Sequence, residues 1–375
     1  MITIEALRAR LNQTGLSPVV LSGVGAAGAV VAPGLGAKVL AAGVDDENLF
    51  WVPTNIDAGA WCVGGQRTWL APELGKGGFF GSGESAWRVP AELDPGRYAP
   101  VRRRRGPAEG GGRAGKTRGQ RAGDKGGAQG GARPGERVCA FRCQMHLERS
   151  DGAIVRVALV REISLLGPPT GLGIAFQQLQ VRSTLINRGR SRLRREAGLW
   201  NILQVPSESD GTILVPLRAG AENATPRRNF GELPGGWLRR DRGLLALRAR
   251  AGQRWKVGFP ADRIHRSAAY LRRSRTGPAW TLVVQRCRLQ PSGTYLDKPP
   301  QTVYGNGDAL QLYNHFDAGL PFSELECHAP ARVLLPGDRQ SATVDYFLAK
   351  GRLEELLEAA ANLLREAVHP GLLFM

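Results

Sequence analysis

Short apolar runs, alternating or continuous and separated by Gly and Pro, recur along most of this chain. Residues 154–161, 173–187, 212–217 and 280–289 each fit an extended strand, being rich in Val, Ile, Leu and Thr and bounded by turn residues. Their regular spacing predicts an all-β fold of packed antiparallel sheets. Only the C-terminal stretch is plainly helical. There Leu353, Leu356, Leu357, Ala360, Leu363 and Leu364 recur at three and four residues with Glu and Arg on the other face, which predicts a peripheral helix over 352–366.

A chain of 375 residues with 42% hydrophobic content can bury a core without disulfides or metals. The even strand pattern then favours one domain over 1–375. The most apolar stretch, 19–44, is broken by several Gly and by Pro33, too interrupted to span a bilayer. It also lacks the basic flank and cleavage site of a signal peptide, so a cytoplasmic protein with no membrane association is expected. The five cysteines are scattered, and only Cys139 and Cys143 are near neighbours, which predicts free buried thiols.

The formal charge of +18 raises the question of a nucleic-acid partner. Much of it is local. Residues 102–137 carry about eight net positive charges among Gly, Ala and Gln, with no large apolar residue, so the segment cannot offset the entropy of folding and should be a disordered insertion. It resembles Arg/Gly-rich RNA tethers in composition but lacks their interleaved aromatics, which favours a solvated loop. A second basic run, 188–195, fits an exposed turn before a strand. Nucleic-acid association through the insertion is therefore an alternative of second rank.

Gly23, Gly25 and Gly28 spell G-x-G-x-x-G, a pattern that cradles a pyrophosphate only where it opens a helix. Here it runs into Ala29-Val30-Val31-Ala32-Pro33, which reads as a strand. Dinucleotide chemistry is excluded on that context. No Cys or His pair has structural-zinc spacing, and there is no nucleophile elbow. Neither a metal nor an organic cofactor is expected.

A resemblance rests on motifs taken in order: Pro33-Gly34-Leu35-Gly36-Ala37-Lys38-Val39-Leu40, Gly64-Gly65-Gln66-Arg67-Thr68-Trp69-Leu70-Ala71-Pro72-Glu73, Gly198-Leu199-Trp200-Asn201-Ile202-Leu203-Gln204, Phe322-Ser323-Glu324-Leu325-Glu326-Cys327-His328 and Leu335-Pro336-Gly337-Asp338. Together they resemble the galactose mutarotase-like (aldose 1-epimerase-like) superfamily, in a divergent branch. The likeness covers about 19–347, leaving out the basic insertion and the C-terminal helix. It implies a β-supersandwich with a cleft for a small-molecule carbohydrate.

In a strand over 322–328, the period of two places Glu324, Glu326 and His328 on one face, two carboxylates beside an imidazole. The resemblance implies that Glu326 takes the proton of the anomeric hydroxyl. The family's middle-strand histidine corresponds to Asn201, and an amide is no general acid, so His315 or His328 would have to protonate the ring oxygen. Arg67, Glu73 and Lys256 would shape the pocket, and Trp69, Trp200 and Trp255 offer faces for a sugar ring. Two functions stay open: an isomerase of aldose 1-epimerase type, or a non-catalytic carbohydrate-binding domain.

Overall fold

The computed structural model describes residues 3–23, 28–45, 47–56, 62–101, 137–167, 174–300, 302 and 305–374. The predicted insertion, apart from Arg137, lies outside the described residues, as does Gly25. The principal strands, in chain order, are β1 (Val19–Ser22), β2 (Gly28–Ala32), β3 (Lys38–Val44), β4 (Gln66–Ala71), β5 (Val138–Glu148), β6 (Ile154–Leu166), β7 (Ala175–Asn187), β8 (Gly198–Pro206) and β9 (Gly211–Pro216). They continue as β10 (Arg227–Gly231), β11 (Leu238–Asp241), β12 (Leu244–Ala249), β13 (Trp255–Phe259), β14 (Ser267–Arg273), β15 (Trp280–Cys287), β16 (Leu310–Asn314), β17 (Phe322–His328) and β18 (Arg339–Gly351).

These strands form two large antiparallel sheets. The first runs β1-β2-β3-β4-β8-β17-β16-β13-β10, and the second runs β11-β12-β9-β14-β15-β18-β7-β6-β5. Alternation along each strand divides the side chains between faces. Leu203, Val205, Leu325, Leu312 and Val257 of the first sheet pack against Ile163, Val181, Ile213, Val283 and Leu348 of the second, and this shared layer is the main core. The opposite face of the first sheet carries the charged residues considered below.

Two helices cover the remaining apolar faces. Helix α1 (Ile4–Gln13) starts at Thr3, whose side chain accepts from the Ala6 amide, and it buries Ile4, Leu7 and Leu11 against Val30, Leu40 and Ala41. The expectation of helix only at the C-terminus is corrected by α1, whose three apolar contacts sit in an arginine-bearing segment. Helix α2 (Leu353–Leu364) lays Leu356, Leu357, Ala360 and Leu364 over Leu271, Leu282 and Val284 of the second sheet. Each leucine buried this way contributes about 1.5–3 kcal/mol. The stretch after Gly28 is strand β2, so no helix is present there to receive a pyrophosphate. The five cysteines are free. Among the described residues no helix is long and apolar enough to cross a membrane.

Candidate functional site

The site face begins at the paired glycines before β4. Gly64 and Gly65 have φ of +82° and +73°, and a Cβ on Gly65 would lie 2.3 Å from the Val39 carbonyl oxygen. Only glycine lets the backbone pass this close with positive φ. The turn thereby delivers Arg67 and Trp69 to the outer face of the first sheet. Gly65→Ala is expected to lose about 1–3 kcal/mol of stability through strain and clash, read as a lowered urea midpoint. An unchanged midpoint would show that the turn can relax.

Strand register then assembles rows across the sheet. Trp69 lies opposite Trp200, and Trp200 opposite His328. In the next row Arg67 faces Ile202, Ile202 faces Glu326, and Glu326 faces Gln311. In the third, Gln204 faces Glu324, Glu324 faces Tyr313, and Tyr313 faces Lys256. Because β17 is paired on both sides, by β8 and β16, its carboxylates are enclosed, where an edge strand would leave them in water.

Two ion-pair systems hold this face. Arg67 Nη2 donates to Glu324 Oε1 at 2.8 Å, and Gln204 Nε2 donates to the same oxygen at 2.7 Å. Since both bonds converge on Oε1, Oε2 is the oxygen left for a ligand. Lys256 Nζ lies 3.0 Å from Glu73 Oε2 and 3.0 Å from Glu326 Oε2. Trp200 Nε1 donates to Glu326 Oε2 at 2.8 Å, and Trp87 Nε1 to Glu73 Oε1 at 3.0 Å. Behind them, Asp297 Oδ1 accepts from the Glu73 amide at 2.6 Å, and its Oδ2 lies 3.5 Å from His328 Nδ1.

The electrostatics follow from one ammonium set among three carboxyl groups. Burial works against the charge on Lys256, but Glu326, Glu73 and Asp297 outweigh it and hold its pKa above the usual lysine value. Burial pushes Glu326 up to about 8 against the pull of Lys256, with Glu324 and Glu73 adding repulsion. Burial and the neighbouring Glu73 push Asp297 up to about 7. The cluster therefore retains a proton near neutrality. Burial and Lys256 keep His328 well below the ordinary histidine range, and burial lowers His315.

A cavity of about 270 Å³ opens over this face. Of the sequence-predicted site residues, Arg67, Trp69, Glu73, Trp200, Lys256, His315 and Glu324 line it. Glu326 and His328 do not. Glu326 is fully buried one layer beneath, covered by Lys256 and Trp200, and His328 stacks on the Trp200 ring at 5.5 Å between ring centres. Asn201 is corrected outright: it points to the opposite face, where its Oδ1 accepts from Thr68 at 2.9 Å. Residue 201 shares its face with Leu203 and Val205, so the β8 side chain beside the carboxylates is Trp200. His315 sits at the other side of the cavity, its Nδ1 bonded to the Tyr313 hydroxyl at 2.7 Å and its ring stacked on Phe322.

Trp255 packs into the main core instead. Several residues of the site face were not expected from the sequence. Tyr313 and Gln204 lie on the site face by simple alternation from His315 and Trp200, so the period of two could have found them. Trp87 and Arg254 come from loops and Glu84 from a short 3-10 turn, with no periodic signal. Asp94 also acts from a loop, accepting from Trp69 Nε1 at 2.8 Å and from Lys38 at 2.7 Å, which fixes the Trp69 ring. An adjoining groove of about 840 Å³ shares Glu73, Phe230 and Lys256. Among the described residues no group of three or more His, Cys, Asp or Glu could hold a metal ion.

Comparison with solved structures identifies the architecture. A candidate aldose 1-epimerase from Escherichia coli K12 is 12% identical, with 90% of this chain and 99% of that chain covered at a TM-score of 0.50. The Slr1438 protein from Synechocystis sp. PCC 6803 is 14% identical over 88% of this chain and 95% of that one, also at 0.50. A galactose mutarotase-like protein from Lactobacillus casei ATCC 334 is 13% identical over 88% and 99%, at 0.49. The first two of these matches show the fold expected from the motifs, the galactose mutarotase-like β-supersandwich. No curated protein matches by sequence. The model of DUF6786, a family of unknown function, matches residues 133–369, and the chain belongs to that family.

Proposed function

We propose that the protein recognises a monosaccharide-sized carbohydrate in the cavity over β4, β8, β17, β16 and β13. One observation carries this reading: Trp69, Trp87, Trp200, Phe230 and Tyr313 line the same small space as Glu324, Glu73 and Lys256. Sugar rings present C–H faces to aromatic rings and hydroxyls to fixed polar groups, and a cavity lined this way meets both needs. The ion pairs are formed before a ligand arrives, so the polar groups are already oriented.

Binding without turnover is favoured by those same pairs, because Arg67 already engages Glu324 and Lys256 already engages Glu73. A second reading, ring opening of aldose 1-epimerase type, is favoured by the uncommitted Oε2 of Glu324. In that reaction Glu324 takes the anomeric hydroxyl proton, an acid at the cavity, His315 or Lys256, protonates the ring oxygen, and the ring recloses on either face of the aldehyde. Glu326 then acts from beneath, by holding Lys256.

The test is titration with a panel of aldoses, followed by proton NMR of anomer exchange. Saturable binding is expected in the wild type, weakened about tenfold or more by Glu324→Gln, since a charge-assisted hydrogen bond is worth about 1.5–3 kcal/mol. If no aldose binds, the reading falls. Exchange accelerated by the wild type and lost in Glu324→Gln establishes the epimerase. Acceleration that survives Glu324→Gln but not Glu326→Gln returns the base to Glu326, and binding with no acceleration leaves a recognition domain.

A further inference from the structure

The strands that build the sugar cavity carry a second concavity on their other side. It has a volume of about 430 Å³ and lies where β8 and β17 of the first sheet approach β15 and β18 of the second. Arg266, Arg286, Arg288 and Arg332 all line it. Among the described residues none of these four has a carboxylate partner within 4.0 Å, whereas the buried Arg67 and Arg272 and the half-buried Arg227 are each paired. The one carboxylate in the wall, Asp345, is occupied by Gln180 Nε2 at 2.8 Å.

A second observation is independent of the arginines. Asn201 and Gln340 line the same cavity, are 0% and 4% exposed, and keep polar atoms without a protein partner, Nδ2 of Asn201 and Oε1 of Gln340. Both atoms are sealed beneath the cavity surface with almost no accessible area, so they make the wall polar without meeting a ligand themselves. Arg286 is fixed in place: its Nη2 donates to the Leu363 carbonyl at 3.2 Å, its guanidinium lies 4.6 Å from the centre of the Phe347 ring, and its Nε is unpartnered. Burial and the like charge of Arg266 lower its pKa, a repulsion that an anion would relieve.

We infer that this cavity binds a phosphate-bearing small molecule. Guanidinium groups match phosphate oxygens in geometry and charge. The volume falls in the range of about 300–1,000 Å³ typical of small-molecule sites, so there is room for a phosphate carried on an organic body. The inference goes beyond the carbohydrate reading and does not depend on it.

The test uses the full chain at low salt, titrated by calorimetry with inorganic phosphate, glucose 6-phosphate and glucose. The variant Arg288→Gln/Arg332→Gln alters two exposed rim residues, so folding is preserved, and Arg190→Gln/Arg192→Gln removes equal charge from an exposed turn elsewhere. Saturable 1:1 binding of glucose 6-phosphate is expected, weakened about tenfold or more by the rim variant and unchanged by the control. Inorganic phosphate following the same pattern shows that the anion alone suffices; its failure to bind shows that the organic body is required. The inference is overturned if neither phosphate saturates, or if the two double variants weaken binding alike. It is also overturned if glucose 6-phosphate binding is lost in Glu324→Gln but kept in the rim variant, since that places the ligand in the sugar cavity.

Discussion

Replacing Lys256 with methionine is expected to cost about 3–5 kcal/mol of folding stability, because it removes the cation shared by two carboxylates of the site, Glu73 and Glu326. Methionine keeps the length of the side chain and its packing over Trp200, where the ammonium lies 4.8 Å from the ring centre. What it loses is the cation between Glu73 and Glu326, each 3.0 Å away. Glu326 is then held to Trp200 alone, and its Oε1 has no hydrogen-bond partner. Urea denaturation at pH 7.5 measures the loss. Losing Lys256 raises the Glu326 carboxyl above a value already pushed up to about 8, so it stays protonated at this pH, and Lys256→Met/Glu326→Gln should be at least as stable as Lys256→Met alone. A single variant within 1 kcal/mol of the wild type would mean that the pair contributes little and that water reaches Glu326 freely.

Stability should fall as the pH rises through neutrality, with Asp297 responsible for a large part. Its carboxyl titrates near 3.8 when free and at about 7 in the fold. Below about pH 4 it is protonated in both states. Between about 4 and 7 the folded protein holds a proton that the unfolded chain has released, so stability decreases with pH by about 1.4 kcal/mol per unit. Above about 7 it is ionised in both states and that contribution is gone, a total on the order of 4 kcal/mol. His328 acts in the opposite sense. Its folded pKa is depressed, so its contribution is present above about 6.5 and is lost as the pH falls. Glu326, raised to about 8, adds to the decline from about pH 4.5 and extends it above neutrality. Asp297→Asn keeps an acceptor for the Glu73 amide, removes the Asp297 slope, and should flatten the profile between about pH 5 and 6.5, where Glu326 and His328 act in opposite directions. If the variant's profile parallels the wild type, Asp297 is hydrated and its pKa ordinary.

Much of the fold was legible because strand formation and its two-fold alternation are local properties. The apolar runs at 154–161, 173–187, 212–217 and 280–289 fall on β6, β7, β9 and β15, with ends shifted by a few residues where pairing partners extend or truncate them. The placement of Glu324, Glu326 and His328 on one face of β17 follows from the pleat alone. The galactose mutarotase-like fold was readable from the order of motifs. Helix α1 was missed because its three apolar positions lie among arginines and polar residues, and its burial depends on β2 and β3.

The site was readable by face but not by depth. Alternation also contains the answer for Asn201: with Trp200 beside the carboxylates, the neighbouring amide must point to the other side. That step requires knowing which face of β8 is which, and pairing with β17 supplies it. The sheet-rich architecture, the residue types at the site and the alternation of faces along each strand are written locally in the chain, since all of these depend on backbone geometry and the order of segments. That Glu324 reaches the cavity while Glu326 lies beneath it is a consequence of packing between distant segments. Depth is set by what covers a face, and the covers are Lys256 from β13, Glu73 beyond β4 and Trp87 from a loop, brought together by contacts distant in sequence.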